Sequence, residues 1–228
     1  LAERENALFI VATPIGNMAD ITLRALDVLK SVDIIVCEDT RRTGRLLLQY
    51  GIKKKLISCH GYNEKSRVNA VVQRLEEGKS LAYCSDAGTP AVSDPGSLLA
   101  RDIREKGFEV IPIPGPSAAI SAYSVSGFSG GDFIFGGFLS PKSGRRKRRL
   151  EKIMSCDTAV ILYESPHRVV KLLEDIADID SKRYIFIGRE MTKLHEEYIS
   201  GIVVEVLENF KSRSTIKGEI VVCISAKE

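Results

Sequence analysis

Short apolar runs alternate along this chain with stretches whose apolar residues recur every three or four positions. The runs Ala7–Ala12, Val32–Cys37, Leu56–Cys59, Leu81–Cys84 and Glu109–Ile113 predict strands. Between them, Thr22–Lys30, Thr43–Tyr50, Glu64–Glu77 and Ser97–Lys106 predict helices. In the third of these, Val68, Val71, Val72 and Leu75 fall at i, i+3, i+4 and i+7, one face of an amphipathic helix, and Gly78 stops it as Gly107 stops the next. Strand and helix in strict alternation predict an α/β fold with a largely parallel sheet.

A second series follows. A helix near Ser117–Val125 gives way to Ser126-Gly-Phe-Ser-Gly-Gly-Asp132, a Gly/Ser-rich stretch that reads as a linker. Strands are predicted at Phe133–Gly137, Ala159–Glu164 and Tyr184–Gly188, and near Glu197–Ser200 and Glu219–Ser225; helices near Arg145–Met154, His167–Ala177 and Val203–Lys211. The expectation is two α/β domains with mainly parallel or mixed sheets, 1–120 and 130–228. At 228 residues the length suits that division.

Composition changes the picture in three places. With 44% apolar and 28% charged residues the chain is an ordinary globular one, with enough apolar material for a core. No apolar run approaches the roughly 18 residues of a membrane span, and the polar start at residues 1–6 does not read as a secretory signal. The five cysteines, at 37, 59, 84, 156 and 223, form no CxxC and no metal-like cluster. Cys37, Cys84 and Cys223 sit in strand-like runs and read as small buried hydrophobes in a reducing cytoplasm; no metal is expected.

The net charge of +3 hides an asymmetry. Residues 141–152 carry seven basic side chains and one acid, with Arg145, Arg146, Lys147, Arg148 and Arg149 consecutive. A charge run of this kind is often just a solvated helix face. Five cations wrapped around one turn repel one another unless a polyanion answers them, which favours a nucleic-acid contact.

Four loops concentrate Gly, Pro and small polar residues after predicted strands: Thr13-Pro-Ile-Gly-Asn17; Ser85-Asp-Ala-Gly-Thr-Pro90 with Ser93-Asp-Pro-Gly96; Pro112-Ile-Pro-Gly-Pro-Ser117; and Tyr163-Glu-Ser-Pro-His-Arg168. The carboxyl ends of strands are where open α/β sheets bind ligands. None of the loops is GxGxxG or a P-loop, so a dinucleotide or nucleoside-triphosphate site is not supported.

On these loops, together with Ala12–Thr22, Cys37-Glu-Asp-Thr-Arg41, Pro114-Gly-Pro-Ser-Ala118, Gly136-Gly-Phe-Leu139, Arg189–Glu197 and Gly218-Glu219, the chain resembles the tetrapyrrole methylase superfamily. Within it, the chain closely resembles the ribosomal RNA small-subunit methyltransferase I family. The matches span nearly the whole chain in order; Met18 and Met191 stand where Leu would be expected. The resemblance implies a cytoplasmic, S-adenosylmethionine-dependent homodimer that methylates the ribose 2′-hydroxyl of a cytidine in the decoding region of 16S rRNA. It also implies a cofactor held in the cleft between two α/β domains.

By the same resemblance the cofactor is held by Pro14 and Ile15, Asp86, Ala87, Gly88 and Thr89, Ser117 and Ala118, and, from the second half, Tyr163 and Met191. Asp86 could instead only cap a turn, Ser117 only cap a helix, and Tyr163 and Met191 belong to a core. Removal of the hydroxyl proton points to Glu190, Lys193, Glu164 and His167 as catalytic candidates. Lys193 qualifies as a base only if its pKa is lowered, and is otherwise a phosphate contact. Glu38, Asp39 and Arg41 end another strand, where Asp39 and Arg41 could simply pair with each other. A methyltransferase acting on a tetrapyrrole or other small molecule, and a non-catalytic RNA binder, remain the alternatives.

Overall fold

The structure, a computed structural model, describes residues 6–61 and 64–227 except the side chain of Lys65. The polar start up to Glu5 lies outside the described residues. The chain forms two compact units, Leu1–Ser117 and Ala118–Glu228.

In the first unit five strands, β1 (Ala7–Val11), β2 (Ile34–Cys37), β3 (Lys55–Ser58), β4 (Leu81–Cys84) and β5 (Glu109–Ile113), form one parallel sheet in the order β3-β2-β4-β1-β5. The connecting helices are α1 (Leu23–Ser31), α2 (Thr40–Gln49), α3 (Glu64–Glu76) and α4 (Ser97–Glu105). Period-two alternation splits the apolar residues of the strands between two faces. Ala7, Phe9 and Val11 pack with Ala25, Leu29, Leu46 and Leu47 of α1 and α2, whereas Leu8, Val36 and Leu81 pack with Val71, Leu75, Leu99 and Ile103 of α3 and α4. Both faces are covered, which is why the strands read as continuous apolar runs.

Local caps set several boundaries. Thr22 caps α1 by accepting the Ala25 N–H at 3.0 Å. Asp39 accepts the Arg41 N–H at 2.8 Å, so α2 begins at Thr40, three residues before the apolar periodicity predicts. Because every strand runs the same way, the loops after β1, β2, β4 and β5 and the amino ends of α1 and α2 share one edge of the sheet.

The second unit begins with α5 (Ala118–Val125) and continues β6 (Phe133–Phe138), α6 (Ser143–Met154), β7 (Ala159–Glu164), α7 (Val169–Ile179), β8 (Tyr184–Arg189), β9 (Glu197–Ile202), α8 (Val203–Lys211) and β10 (Ile220–Ile224). Its sheet order is β6-β7-β10-β8-β9. Only β6 and β7 pair in parallel; β10 lies antiparallel between β7 and β8, and β9 antiparallel beside β8. β9 runs antiparallel to β8 because a short turn rather than a crossover helix joins them, and β10, inserted from the end of the chain, runs against both its neighbours. One face packs on α6, α7 and α8 through Leu150, Leu172, Leu173, Ile176, Val206 and Phe210. The helix α7 starts at Val169 rather than His167, since a turn closed by Ser165 O occupies the preceding residues.

Candidate functional site

At the carboxyl edge of the first sheet the loops are tied to each other through their backbones. Thr13 and Gly88 exchange N–H···O bonds of 2.9 Å in both directions, and Ala12 donates to Ile113 O. The Thr13 hydroxyl donates to Ser85 O at 3.3 Å and that of Thr89 to Pro116 O at 3.1 Å. Gly88 has φ +78°, a left-handed conformation, and a Cβ there would stand 3.4 Å from Ile15 Cγ2. The sequence-predicted Pro14, Ile15, Asp86, Ala87, Gly88 and Thr89 are thus one assembled corner, and Ser117 ends the β5 loop of the same unit.

Asp86 is the charge of that corner, and it is committed on both oxygens. Its Oδ1 accepts the Asp39 N–H at 3.0 Å, and Oδ2 lies 3.4 Å from Arg42 Nε. The Asp86 N–H in turn reaches Glu38 Oε2 at 3.4 Å. Burial and the neighbouring Asp86 carboxylate raise the Glu38 pKa, whereas hydrogen bonds from Arg41 hold Asp39 well below the ordinary carboxylate value. Beside this clasp lies a cavity of about 200 Å³ lined by Thr13, Pro14, Gly16, Ser85, Asp86, Arg42 and Arg45, among others. The sequence reading passed over Arg42 and Arg45. The signal was their position in the opening turns of α2, which holds no acid in its first turn.

Four of the five cysteines, 37, 59, 84 and 223, are buried, and burial raises the pKa of each; Cys59 reaches about 11 and Cys223 about 12. Thiolate chemistry finds no support there.

The second unit gathers its polar residues at the carboxyl ends of β7 and β8. Glu190 has φ +51°, and a Cβ on Gly218, at φ +92°, would overlap its side chain. Glu190 Oε1 accepts the Lys193 ammonium at 2.7 Å and the Glu219 N–H at 2.9 Å; Lys193 also meets Glu219 Oε2 at 3.0 Å. Burial alone would lower the Lys193 pKa, but the carboxylates of Glu190 and Glu219 outweigh it and raise it. The lowering that a base role for Lys193 requires is therefore reversed, and Lys193 is a held cation. The Lys193 hydrogen bond keeps Glu190 below its ordinary value. Gly218-Glu219 stood among the motif stretches, but its partner Lys193 did not follow from the sequence, because the pairing of β10 with β8 brings the two together from far along the chain.

Glu164 is buried at the end of β7. Its Oε1 accepts the Ser165 N–H at 2.7 Å and pairs with Arg168 at 2.6 Å, while Oε2 is buried with no hydrogen-bond partner among the described residues. His167 is exposed in the turn before α7. Tyr163 turns its hydroxyl to the Ala119 N–H at 3.2 Å, occupying one of the free amides at the start of α5, next to Ala118. Met191 is buried against Gly188.

An arginine pair frames the turn between β8 and β9. Glu197 accepts both Arg213 Nη atoms, at 2.9 and 2.8 Å, and Arg189 Nε at 2.7 Å. These bonds, those of Arg213 foremost, lower its pKa from 4.5 to about 2. A depressed folded-state value means stability that is present above the ordinary carboxylate pKa and lost as pH falls through the folded one. We expect Glu197→Gln to flatten the acid limb of stability between those two values. Identical pH dependence of urea midpoints in variant and parent would contradict the assignment.

The basic run does not behave as one surface. Arg146 is buried and paired through Nε with Asp175 of α7. Lys147 reaches Asp178 at 2.7 Å and Asp175 at 3.5 Å. As a nucleic-acid contact Arg146 is corrected: it ties α6 to α7, while Lys147 is partly exposed beside it. The reason is helical period, since position 146 shares the inward face with Leu150, Ile153 and Met154. Arg145, Arg148 and Arg149 are exposed and, with Lys152, share the opposite face.

Comparison with known proteins agrees with this layout. A family model described as tetrapyrrole (corrin/porphyrin) methylases matches residues 7–206. A Thermotoga maritima protein named ribosomal RNA small subunit methyltransferase I is 48% identical over 97% of this chain and 99% of its own length. Proteins of the same name from Neisseria meningitidis serogroup A and Haemophilus influenzae are 49% and 46% identical, over 87% and 96% of this chain and 68% and 78% of theirs. Among solved structures, a cobalamin biosynthetic enzyme, cobalt precorrin-4 methyltransferase, gives a TM-score of 0.69 at 14% identity, covering 96% of this chain and 94% of that one. Uroporphyrin-III-C-methyltransferase from Thermus thermophilus gives 0.65 at 17%, covering 96% and 92%.

Proposed function

Because this chain belongs to the tetrapyrrole methylases and, within them, to the ribosomal RNA small subunit methyltransferase I family, we propose that it methylates the 2′-hydroxyl of a cytidine ribose in the decoding region of 16S rRNA, with S-adenosylmethionine as methyl donor. Likeness to proteins of that name over nearly the whole of both chains carries the reading. The exposed cationic face of α6 supports it, because a polyanion is the partner such a face fits. The small ribosomal subunit as partner, a homodimer as working form, a cytoplasmic setting and no need of a metal follow from the family resemblance.

The corner at Thr13, Ile15 and Gly88 fits the cofactor. Pro14 and Ser85 line the cavity beside it, Pro14 and Ile15 offer an apolar wall, and Asp86, whose Oδ2 meets Arg42 only at 3.4 Å, keeps a lone pair for a hydroxyl or ammonium group. When bound, S-adenosylmethionine supplies a methyl group made electrophilic by its sulfonium. The protein's own task is to orient the ribose hydroxyl and take its proton. We assign the proton to Glu190 Oε2, since Oε1 is held by Lys193 and the Glu219 N–H. Lys193 then steadies the carboxylate, and Glu164 positions Arg168.

Asp86→Ala is expected to weaken S-adenosylmethionine binding by about 1–3 kcal/mol, roughly fivefold to 150-fold in Kd, the range for losing a hydrogen bond to a charged, partly buried group. Titration calorimetry on a folded variant reads it directly, and unchanged affinity takes Asp86 out of the cofactor site. The function is tested by transfer of tritiated methyl from S-adenosylmethionine to small ribosomal subunits that lack the modification. Label entering a tetrapyrrole instead would favour the fold neighbours' class of substrate.

A further inference from the structure

We propose that Arg42 and Arg45, at the opening of α2, form a second contact for the RNA phosphate backbone, carried by the N-terminal unit. The proposal rests on the rRNA reading above and assigns to it residues outside the basic run of α6. Both side chains line the 200 Å³ cavity beside Ser85 and Asp86. The acids facing that corner are already engaged. Asp39 is held by Arg41 through two hydrogen bonds of 3.1 and 2.7 Å, and Asp86 by the Asp39 N–H and Arg42. Arg42 is loosely held, at 3.4 Å and 62% exposed, and Arg45 makes no ion pair among the described residues.

The position of these arginines does not serve the helix. Arg42 stands in the first turn of α2, where the helix dipole disfavours cations, and the capping Asp39 is taken up by Arg41; Arg45 lies one turn further along. The same inversion occurs at the start of α6, where Lys142 occupies the cap position, Arg145 follows in the first turn, and no acid is present. Each of these helices follows a strand whose carboxyl end carries the family's motif loops. Guanidinium groups suit phosphate because their planar donors match two of its oxygens.

The test is binding of unmethylated 16S rRNA against potassium chloride at fixed magnesium, with methylation of the same RNA by the parent protein recorded alongside. Removing one cation–phosphate interaction flattens the log–log slope by about 0.7–0.9. Arg45→Gln is expected to flatten it by one such step, Arg42→Gln with Arg45→Gln by two, and Arg45→Lys to keep the parent slope, all with unchanged melting temperatures. If the parent methylates the RNA while Arg45→Gln gives a line parallel to it with equal intercept, the second contact is overturned and the rRNA reading stands. If the parent neither binds nor methylates the RNA, both fall together.

Discussion

Arg146→Ala is expected to destabilise the second unit by about 3–5 kcal/mol, the largest stability effect of any single change in the basic run. The substitution strands the Asp175 carboxylate, which is buried between α6 and α7. Lys147 lies 3.5 Å from the other oxygen of Asp175 and compensates only in part, being drawn to Asp178 at 2.7 Å. Removing both charges together behaves differently. A buried ion pair costs its desolvation, so Arg146→Met combined with Asp175→Leu should come within about 1 kcal/mol of the parent or exceed it. Denaturant unfolding of the two variants beside Arg149→Gln, an exposed neighbour expected to change little, separates the pair from a general reduction in charge. Equal stability of Arg146→Ala and Arg149→Gln would mean that Arg146 is not inside the fold.

Glu190→Gln is expected to lower kcat by about 10²–10⁴-fold, the range of a positioned general base, with little change in KM for RNA or cofactor. The amide oxygen of Gln can still accept from Lys193 and from the Glu219 N–H, so the turn keeps its shape while the basic oxygen is removed. The pH profile supplies an independent sign. A glutamate is ionised throughout the neutral range, and Lys193 lowers the Glu190 pKa further, so the rate should stay flat from neutral into mildly alkaline pH. A lysine base would instead give a rate that keeps climbing into strongly alkaline pH, since its two carboxylate neighbours raise the Lys193 pKa above the ordinary lysine value. Retained kcat in Glu190→Gln, or such a climb, would move the base elsewhere.

What the sequence made legible follows from period and capping. Short continuous apolar runs located β4, β5 and β7 to the residue, and the i, i+3, i+4 spacing in Val68–Leu75 located α3, because each depends only on neighbours along the chain. The start of α2 was missed because Asp39, not the apolar stripe, sets it. The insertion of β10 between β7 and β8 left no local trace, and with it went the meeting of Glu219 and Lys193. Arg146 is the instructive case. Its place four residues before Leu150 was open to view, but the run of five cations was weighed as a single charge and not as a helix with two faces. In the first unit the motif loops after β1, β4 and β5 were readable as a cluster, because parallel strands must bring their carboxyl ends together. The backbone exchange between Thr13 and Gly88 that fixes the loops, and the arginines of α2 beside them, required coordinates.

The central claim is methylation of a ribose hydroxyl in 16S rRNA, and alkaline hydrolysis tests it most directly. A methylated 2′-oxygen cannot attack the adjacent phosphodiester, so that linkage survives alkali while every other one is cut. Small ribosomal subunits lacking the modification are incubated with the protein and tritiated S-adenosylmethionine, and the extracted 16S rRNA is hydrolysed. The account predicts label in a single alkali-resistant dinucleotide whose 5′ residue is cytidine, and none from Glu190→Gln at matched times. Label released as a base-methylated mononucleotide, or none in RNA with label passing to a tetrapyrrole, would contradict it.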